Sequence, residues 1–307
     1  MWLKNSLRSL KRGLLWSSGL PQEFSQIAES LRQPNLQPAC VDRGTQLLLR
    51  INYRNAFEKT QRLLDFDQIE FRSHYQNGED GILWYIFSLI GTVNKKVVEI
   101  CASDGIQCNA ANLIINDGWA GLLFDGNDAL IKKGQEYYKT HPDTFVYPPK
   151  LCHAWITAEN VNELITANGF RDEIDLLSLD IDGIDYWLWN AIEAINPRVV
   201  VTEIQAIWGS EASVTVPYRP DFKAEFVNGF GVYCGASLPA FVKLGKKKGY
   251  RLVGCQRYGF NAFFIRDDVG QDVFAEISAE RCLSHPFAVW AHDELRPMVI
   301  NREWQEV

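Results

Sequence analysis

Residues 95–114 read KKVVEICASDGIQCNAANLI, and the fold turns on how this stretch is parsed. Val97, Val98 and Ile100 form a short apolar, partly β-branched run, the mark of a strand buried on both faces. The chain then turns through Cys101-Ala102-Ser103-Asp104-Gly105 and enters a helix that runs to about Asn116. Strand, tight turn and helix opening is how an α/β fold cradles a nucleotide. A dinucleotide site would need G-x-G-x-x-G for close backbone approach to the pyrophosphate, and that motif is missing.

The flanking sequence keeps alternating between the two periodicities, as an α/β sheet requires. Upstream, YQNGEDGILWYIFSLIG (75–91) predicts a helix capped by Asn77, with Glu79 and Asp80 favouring the positive end of its dipole. Downstream, GLLFDGN predicts a strand ending on Asp125, and a third strand lies within TFVYPPKLCHAWIT (144–157). Thr157 is expected to cap a helix over AENVNELITANGF that Gly169 ends. IDLLSLDIDG (174–183) is a fourth strand. The Trp-rich helix DYWLWNAIEAI follows and stops before Pro197, and RVVVTEIQ (198–205) is a fifth strand. Ser237 caps SLPAFVKLGKKKG, after which YRLVGCQRYGFNAFFIRDD (250–268) reads as a hairpin around a glycine turn. One strand of the sheet therefore runs antiparallel to its partner. From Val269 the pattern is helical or irregular.

Before this region the sequence is helical. EFSQIAESLRQ and TQLLLRINYRNAFEKTQRLL carry helical periodicity on either side of a Pro34–Pro38 loop. The expected organisation is an N-terminal helical extension over 1–66, an α/β domain over 67–270 and a tail over 271–307 packed on that domain. The opening segment MWLKNSLRSLKRGLLW sets Leu3, Leu7, Leu10 and Leu14 on one stripe, with Lys4, Arg8, Lys11 and Arg12 largely off it. Such a helix docks on its own core, on a second subunit to make a homo-oligomer, or on an anionic membrane surface. No stable membrane insertion is expected, because no apolar run reaches the roughly 18 residues of a span. Neither the apolar core nor the cleavage site of a signal peptide is visible.

The 307 residues carry a net charge of −7, which argues against a nucleic-acid-binding protein with a broad cationic face. Cys40, Cys101, Cys108, Cys152, Cys234, Cys255 and Cys282 are odd in number and never spaced C-x-x-C. Reduced thiols and a cytoplasmic location are expected, with neither a disulfide scaffold nor a zinc site.

An acid ending the second strand usually accepts hydrogen bonds from ribose hydroxyls, and Asp125 fits that role. Glu99, at the end of the first strand, would repel a pyrophosphate but suits a ligand bearing a sulfonium and an α-ammonium group. With these residues in view, the chain from about Tyr75 to Asp268 resembles the class I S-adenosylmethionine-dependent methyltransferases, and among them the FkbM-type family. The family's first motif is E/D-x-G-x-G-x-G. Glu99 matches its acid and Gly105 its last glycine, while Cys101 and Ser103 replace the first two. Neither replacement tolerates positive φ as glycine does.

The resemblance implies a Rossmann-like, seven-stranded sheet, mostly parallel with an antiparallel C-terminal hairpin. It implies S-adenosyl-L-methionine as cofactor, held at its methionine end by Gln76 and Glu79 from QNGEDGIL and by Glu99, Ser103 and Gly105. Asp125 and Asn127 of FDGN, with Ala154 and Trp155 of HAWITAENV near the adenine, complete the expected site. Trp155 has an equal competing reading as a core tryptophan, and Asp125 one as a turn residue. O-methylation of a sugar, glycan precursor or natural product rests on the resemblance alone.

Methyl transfer to a hydroxyl needs alignment and a base. Asp180 and Asp182 stand one residue apart, so on an extended chain they point the same way. They are read as a general base and its neighbour, as ligands for Mg²⁺ or Ca²⁺, or as structural acids, Asp185 capping the next helix. His153 is a further candidate base. Glu203, Gln205, Tyr218 and Arg219 are the candidates for the acceptor side. Two other classes stay open: an inactive methyltransferase-like scaffold, and an NAD-linked oxidoreductase, which would have to bind pyridine nucleotide.

Overall fold

A computed structural model describes residues 40–227 and 229–307. The expected helices over MWLKNSLRSLKRGLLW and EFSQIAESLRQ, and any oligomer contact through them, lie outside the described residues. Residues 41–307 form one compact unit.

The centre of the unit is a seven-stranded sheet. In chain order its strands are β1 (Lys96–Ile100), β2 (Ala120–Asp125), β3 (Lys150–His153), β4 (Asp172–Leu179) and β5 (Ile195–Glu203), then β9 (Tyr250–Cys255) and β10 (Asn261–Arg266). They lie side by side as β3-β2-β1-β4-β5-β10-β9. The ladders among the first five are parallel, and β10 is antiparallel to both β5 and β9. Numbered within the sheet the order is 3-2-1-4-5-7-6, the Rossmann-like class I methyltransferase arrangement with its reversed last strand.

Period-two alternation splits the core into two layers. Val98, Ile100, Leu122, Phe124, Leu177, Val200 and Phe264 face one side. There they pack on α5 (Val161–Ala167), α6 (Asp185–Ala191) and α7 (Leu238–Lys248). Val97, Leu123, Leu176, Val199, Val201 and Phe263 face the other side. That face is covered by α2 (Glu79–Ile90), α3 (Ala111–Asp117) and α4 (Asp128–Thr140). Helix α1 (Arg43–Thr60) packs in turn on α2, where Trp84 Nε1 donates to the Gln46 carbonyl.

Between β5 and α7 the chain inserts a short 3₁₀ turn (Ala206–Trp208) and the strands β6 (Val214–Thr215), β7 (Glu225–Val227) and β8 (Phe230–Tyr233). The tail contributes α8 (Ala279–Cys282), α9 (Pro286–Val299) and β11 (Gln305–Glu306), which pairs with β6. Ile207, Trp208, Val232, Ala291, Leu295 and Val299 make a third small core where α9 meets the insertion. Cys101, Cys108, Cys152, Cys234, Cys255 and Cys282 are free thiols. Among the described residues no helix is long and apolar enough to cross a membrane.

Several local expectations are corrected. Gly78, at φ 105°, is the N-cap of α2, and the Asn77 amide instead donates to Glu79 Oε2. Helix α5 starts at Val161, not after Thr157, because Asn160 Oδ1 takes the Thr157 amide and closes a turn ahead of it. Pro197 lies inside β5. The β10 ladder ends at Val199, so the N–H that proline lacks is not required there. Helix α4 had no counterpart in the sequence reading.

Candidate active site

The turn that ends β1 decides the site. Cys101 has φ 66°, Ser103 φ 55° and Gly105 φ 71°. The backbone therefore visits the left-handed region at each of the three places where the motif carries glycine. For an L-residue this costs on the order of 1 kcal/mol or more. Gly105 is needed for space as well, since a Cβ there would lie 2.9 Å from Leu123 Cδ1.

Two acids hold the turn. Glu99 is buried beneath it, where its carboxylate accepts from the amides of Asn109 (3.0 Å) and Ala110 (2.7 Å) and from the Ser178 hydroxyl (3.0 Å). These bonds fix the approach to α3. Burial raises its pKa above the usual carboxylate range, against the pull of those donors. Asp125 works from above. Its Oδ2 accepts from the Ser103 amide and its Oδ1 from the Asn127 amide, both at 2.8 Å.

The segment before α2 brings further groups to the same edge. Asp80 Oδ2 gathers the amides of Ser73, His74 and Tyr75 at 2.7–2.8 Å. Burial lifts Asp80 to about 6. So oriented, the Tyr75 hydroxyl donates to Asp180 Oδ2 at 2.7 Å. Glu79 is fully buried, bonded to the Asn77 amide and to Asn261 Nδ2, and burial pushes it up to about 8. Asn261 Oδ1 is buried with no hydrogen-bond partner.

At the carboxyl ends of β4 and β5, oxygens of Asp180, Asp182 and Glu203 lie within 4.8 Å of one another. Burial, and then the neighbouring acids Asp185 and Asp182, raise Asp180 to about 7 even though Tyr75 donates to it. Burial also raises Asp182, and burial with the charges of Asp180 and Asp182 raises Glu203 well above its ordinary value. Asp185 takes the amides of Ile181 (2.8 Å) and Gly183 (3.0 Å), so it ties down the loop that presents Asp182. Three carboxyl groups this close can share protons, or hold a divalent cation through their oxygens. Among the described residues none of Glu79, Asp125, Asp180, Asp182 and Glu203 forms an ion pair with lysine or arginine.

The other expected site residues are distributed as follows. Gln76 is exposed beside Tyr75. Ala154 donates its amide to the Asp125 carbonyl. Trp155 is 57% exposed, so it is not a core tryptophan. It covers Gly126, and its Nε1 donates to the Pro220 carbonyl at 2.7 Å. Asn127 caps α4 through its side chain. His153 sits on edge strand β3 against the Gly126 carbonyl. Strands β2 and β1 separate it from β4, roughly 14 Å at ordinary strand spacing. Histidine and the acid trio are therefore not one constellation. Gln205 is buried and spends its amide on the Gly231 carbonyl and Cys234 Sγ. Tyr218 bonds Glu159 (2.6 Å), and Arg219 pairs with Glu303 on the surface.

Tyr75 and Asn261 were not singled out from sequence. Tyr75 lies in the quoted YQNGEDG segment and could have been marked by that neighbourhood. Asn261 could not, because only the antiparallel register sets it opposite Glu203.

No family model matches this chain, and no curated protein does. Among solved structures it is similar to an S-adenosylmethionine-dependent methyltransferase from Clostridium acetobutylicum, at 10% identity and a TM-score of 0.39, over 71% of this chain and 99% of that one. It is also similar to magnesium protoporphyrin IX methyltransferase from Synechocystis PCC 6803 with bound SAM, at 12% identity, TM-score 0.38, over 75% and 100% of the two chains. A glycopeptide N-methyltransferase complexed with S-adenosylhomocysteine is similar at 11% identity and TM-score 0.38, over 68% and 94%.

Proposed function

We propose that this chain is an S-adenosylmethionine-dependent methyltransferase whose acceptor atom is a hydroxyl oxygen. The observation that carries the reading is the run of acids without basic partners along one sheet edge, headed by a turn that keeps a glycine-type backbone at Cys101 and Ser103. Acids crowded without basic partners hold protons that a nearby cation would displace, so they favour a ligand with positive centres over an anionic pyrophosphate. The same charge pattern speaks against the NAD-linked reading.

The cofactor supplies an electrophilic methyl group on a sulfonium. The residues fit it by charge: among the described residues Asp125, at the end of β2, has no lysine or arginine partner, and Asn261 Oδ1 beside Glu79, with no hydrogen-bond partner among them, is an acceptor suited to an ammonium. Ser103 and Gly105 would lie along the donor, with Gln76 at its methionine end and Ala154 and Trp155 at the adenine end. Asp180 is the general base. With its pKa at about 7 it is partly ionised at neutral pH, and Tyr75 holds one of its oxygens in place. It receives the proton of the attacking hydroxyl, while Asp182 and Glu203 orient the acceptor.

The acid trio favours one second reading, in which Asp180, Asp182 and Glu203 ligate Mg²⁺ or Ca²⁺ and the metal orients the acceptor. Labelled methyl transfer to a cell-extract acceptor pool, before and after exhaustive chelation, separates the two: unchanged transfer supports the base, and loss restored by Mg²⁺ supports the metal. Calorimetry with S-adenosylhomocysteine tests the shared foundation. Absence of binding at millimolar ligand would leave an inactive scaffold.

A further inference from the structure

After β6 the chain runs through Val216-Pro217-Tyr218-Arg219-Pro220-Asp221-Phe222, and the ends of this segment are fastened differently from its middle. The Val216 amide donates to the Gly235 carbonyl at 3.1 Å, and the Val216 carbonyl accepts from Trp187 Nε1 at 2.8 Å. Phe222, at the far end, packs on Gly183, where an added Cβ would lie 3.0 Å from its ring. Its ring centroid is 5.6 Å from that of Tyr233. Between these anchors Pro217 and Pro220 have no N–H to donate. Among the described residues, the one backbone–backbone bond of residues 217–222 is internal, from the Phe222 amide to the Arg219 carbonyl at 3.1 Å. The middle of the segment is therefore held through side chains.

Those side chains place it across the exits of three strands. Trp155 Nε1 donates to the Pro220 carbonyl at 2.7 Å, and the same indole lies against Gly126, next to Asp125 at the end of β2. Two residues beyond Pro220, Phe222 touches Gly183, next to Asp182 after β4. In the sheet β1 lies between β2 and β4, so this short stretch spans the exit of the strand whose turn carries Cys101 and Ser103. Two further contacts latch it down. The Tyr218 hydroxyl donates to Glu159 at 2.6 Å, and Arg219 pairs with Glu303 at 3.0 Å. Glu159, Arg219 and Glu303 are all exposed, and bonds of this kind in water are weak enough to open and close.

We propose that residues 216–222 are a strap that gates entry and release of the methyl donor. The inference rests on the methyltransferase reading above. Closed, the strap holds Trp155 over the exit of β2 through the Pro220 carbonyl. When Tyr218 and Arg219 let go, its middle lifts while Val216 and Phe222 stay anchored, and the two prolines keep it moving as one stiff piece. Glu159 and Glu303 are the outer halves of the latches and lie outside the donor site. Breaking a latch makes opening easier, so it speeds entry and release together. Loss of a contact to the ligand would instead weaken affinity, chiefly through faster release.

The test uses the full chain with S-adenosylhomocysteine as the probe. Stopped-flow tryptophan fluorescence gives its association and release rates. In Glu159→Ala and in Glu303→Ala both rates should rise about twofold to fivefold, with Kd held within about twofold, and the double variant should be faster than either. Hydrogen exchange over residues 218–222 should slow when S-adenosylhomocysteine is bound. Wild-type rates in the double variant, or exchange over 218–222 that ignores the ligand, overturns the strap. So does a weaker Kd at an unchanged association rate, which makes the latch part of the binding surface. Absence of any binding removes the methyltransferase reading and the gate with it, whereas binding with unaltered rates removes the gate alone.

Discussion

Ser103 donates its main-chain N–H to Asp125 Oδ2 across 2.8 Å, which joins the turn ending β1 to the acid ending β2. One carboxylate thereby shapes the loop and, in the function proposed above, also supplies negative charge to the donor. The two roles separate on substitution. Asp125→Ala strands the Ser103 and Asn127 amides in a poorly solvated place, and about 1–3 kcal/mol of stability should be lost. Asp125→Asn keeps an acceptor for only one of the two amides and should lose about 1 kcal/mol or more through the other, yet it removes the charge and should bind S-adenosylhomocysteine about tenfold more weakly. Thermal unfolding and calorimetry read the two effects. An Asn variant with wild-type affinity removes Asp125 from the donor site.

Left-handed backbone at Cys101 and Ser103 predicts a gain from glycine. Relief of about 1 kcal/mol per residue is partly offset by the greater freedom of glycine in the unfolded chain. Cys101→Gly with Ser103→Gly should raise Tm by about 2 °C with donor affinity retained. A lower Tm for the double variant would show that these side chains repay the strain through contacts of their own.

Glu99 anchors the loop through Asn109, Ala110 and Ser178. Glu99→Ala leaves three buried donors without an acceptor and should cost about 3 kcal/mol or more. Weakened donor binding would follow from the loosened loop. Urea unfolding checks this, and a variant as stable as wild type that loses donor affinity would instead make Glu99 a direct ligand.

The raised acids predict how donor affinity depends on pH. A sulfonium favours the ionised form of Asp180, which titrates at about 7. S-adenosylmethionine should therefore bind more tightly as pH rises through that value, by at most about tenfold per pH unit for one proton released. S-adenosylhomocysteine lacks the sulfonium charge and should show a shallower rise. Asp180→Asn should flatten the difference between them. Parallel slopes for both ligands would separate the trio from the methyl group.

Stability also carries a signature, through Glu79. Its pKa is raised from 4.5 to about 8 by burial. For an acid raised on folding, the stability contribution is complete below the unfolded value and is lost as pH rises through the folded one. Wild type should thus lose stability relative to Glu79→Gln between pH 4.5 and about 8. Urea unfolding of both proteins across that window measures the difference, and a constant difference would mean that Glu79 stays ionised throughout.

Local patterns made much of this molecule readable. The runs VVEI, GLLFD, LLSL and RVVVTE are apolar because their strands are covered on both faces, so the sheet was visible strand by strand, and the glycine turn in RLVGCQRYGFNAFF marked the reversed pair. Helix starts were less legible. Gly78 and Asn160 took over from Asn77 and Thr157 because side-chain bonds within each turn outcompeted the simple capping pattern. Helix α4 escaped because its apolar stripe is short and its remaining surface charged.

By itself the sequence determined the strand-turn-helix unit, the acids at the strand ends and the antiparallel finish, since each depends on residues close together in the chain. Tertiary structure alone decided which acids meet. Asp180, Asp182 and Glu203 converge, with Tyr75 and Asn261 beside them, while two intervening strands hold His153 apart. The reason is the order of the sheet: neighbours across strands are set by topology and register, which no local run of residues encodes.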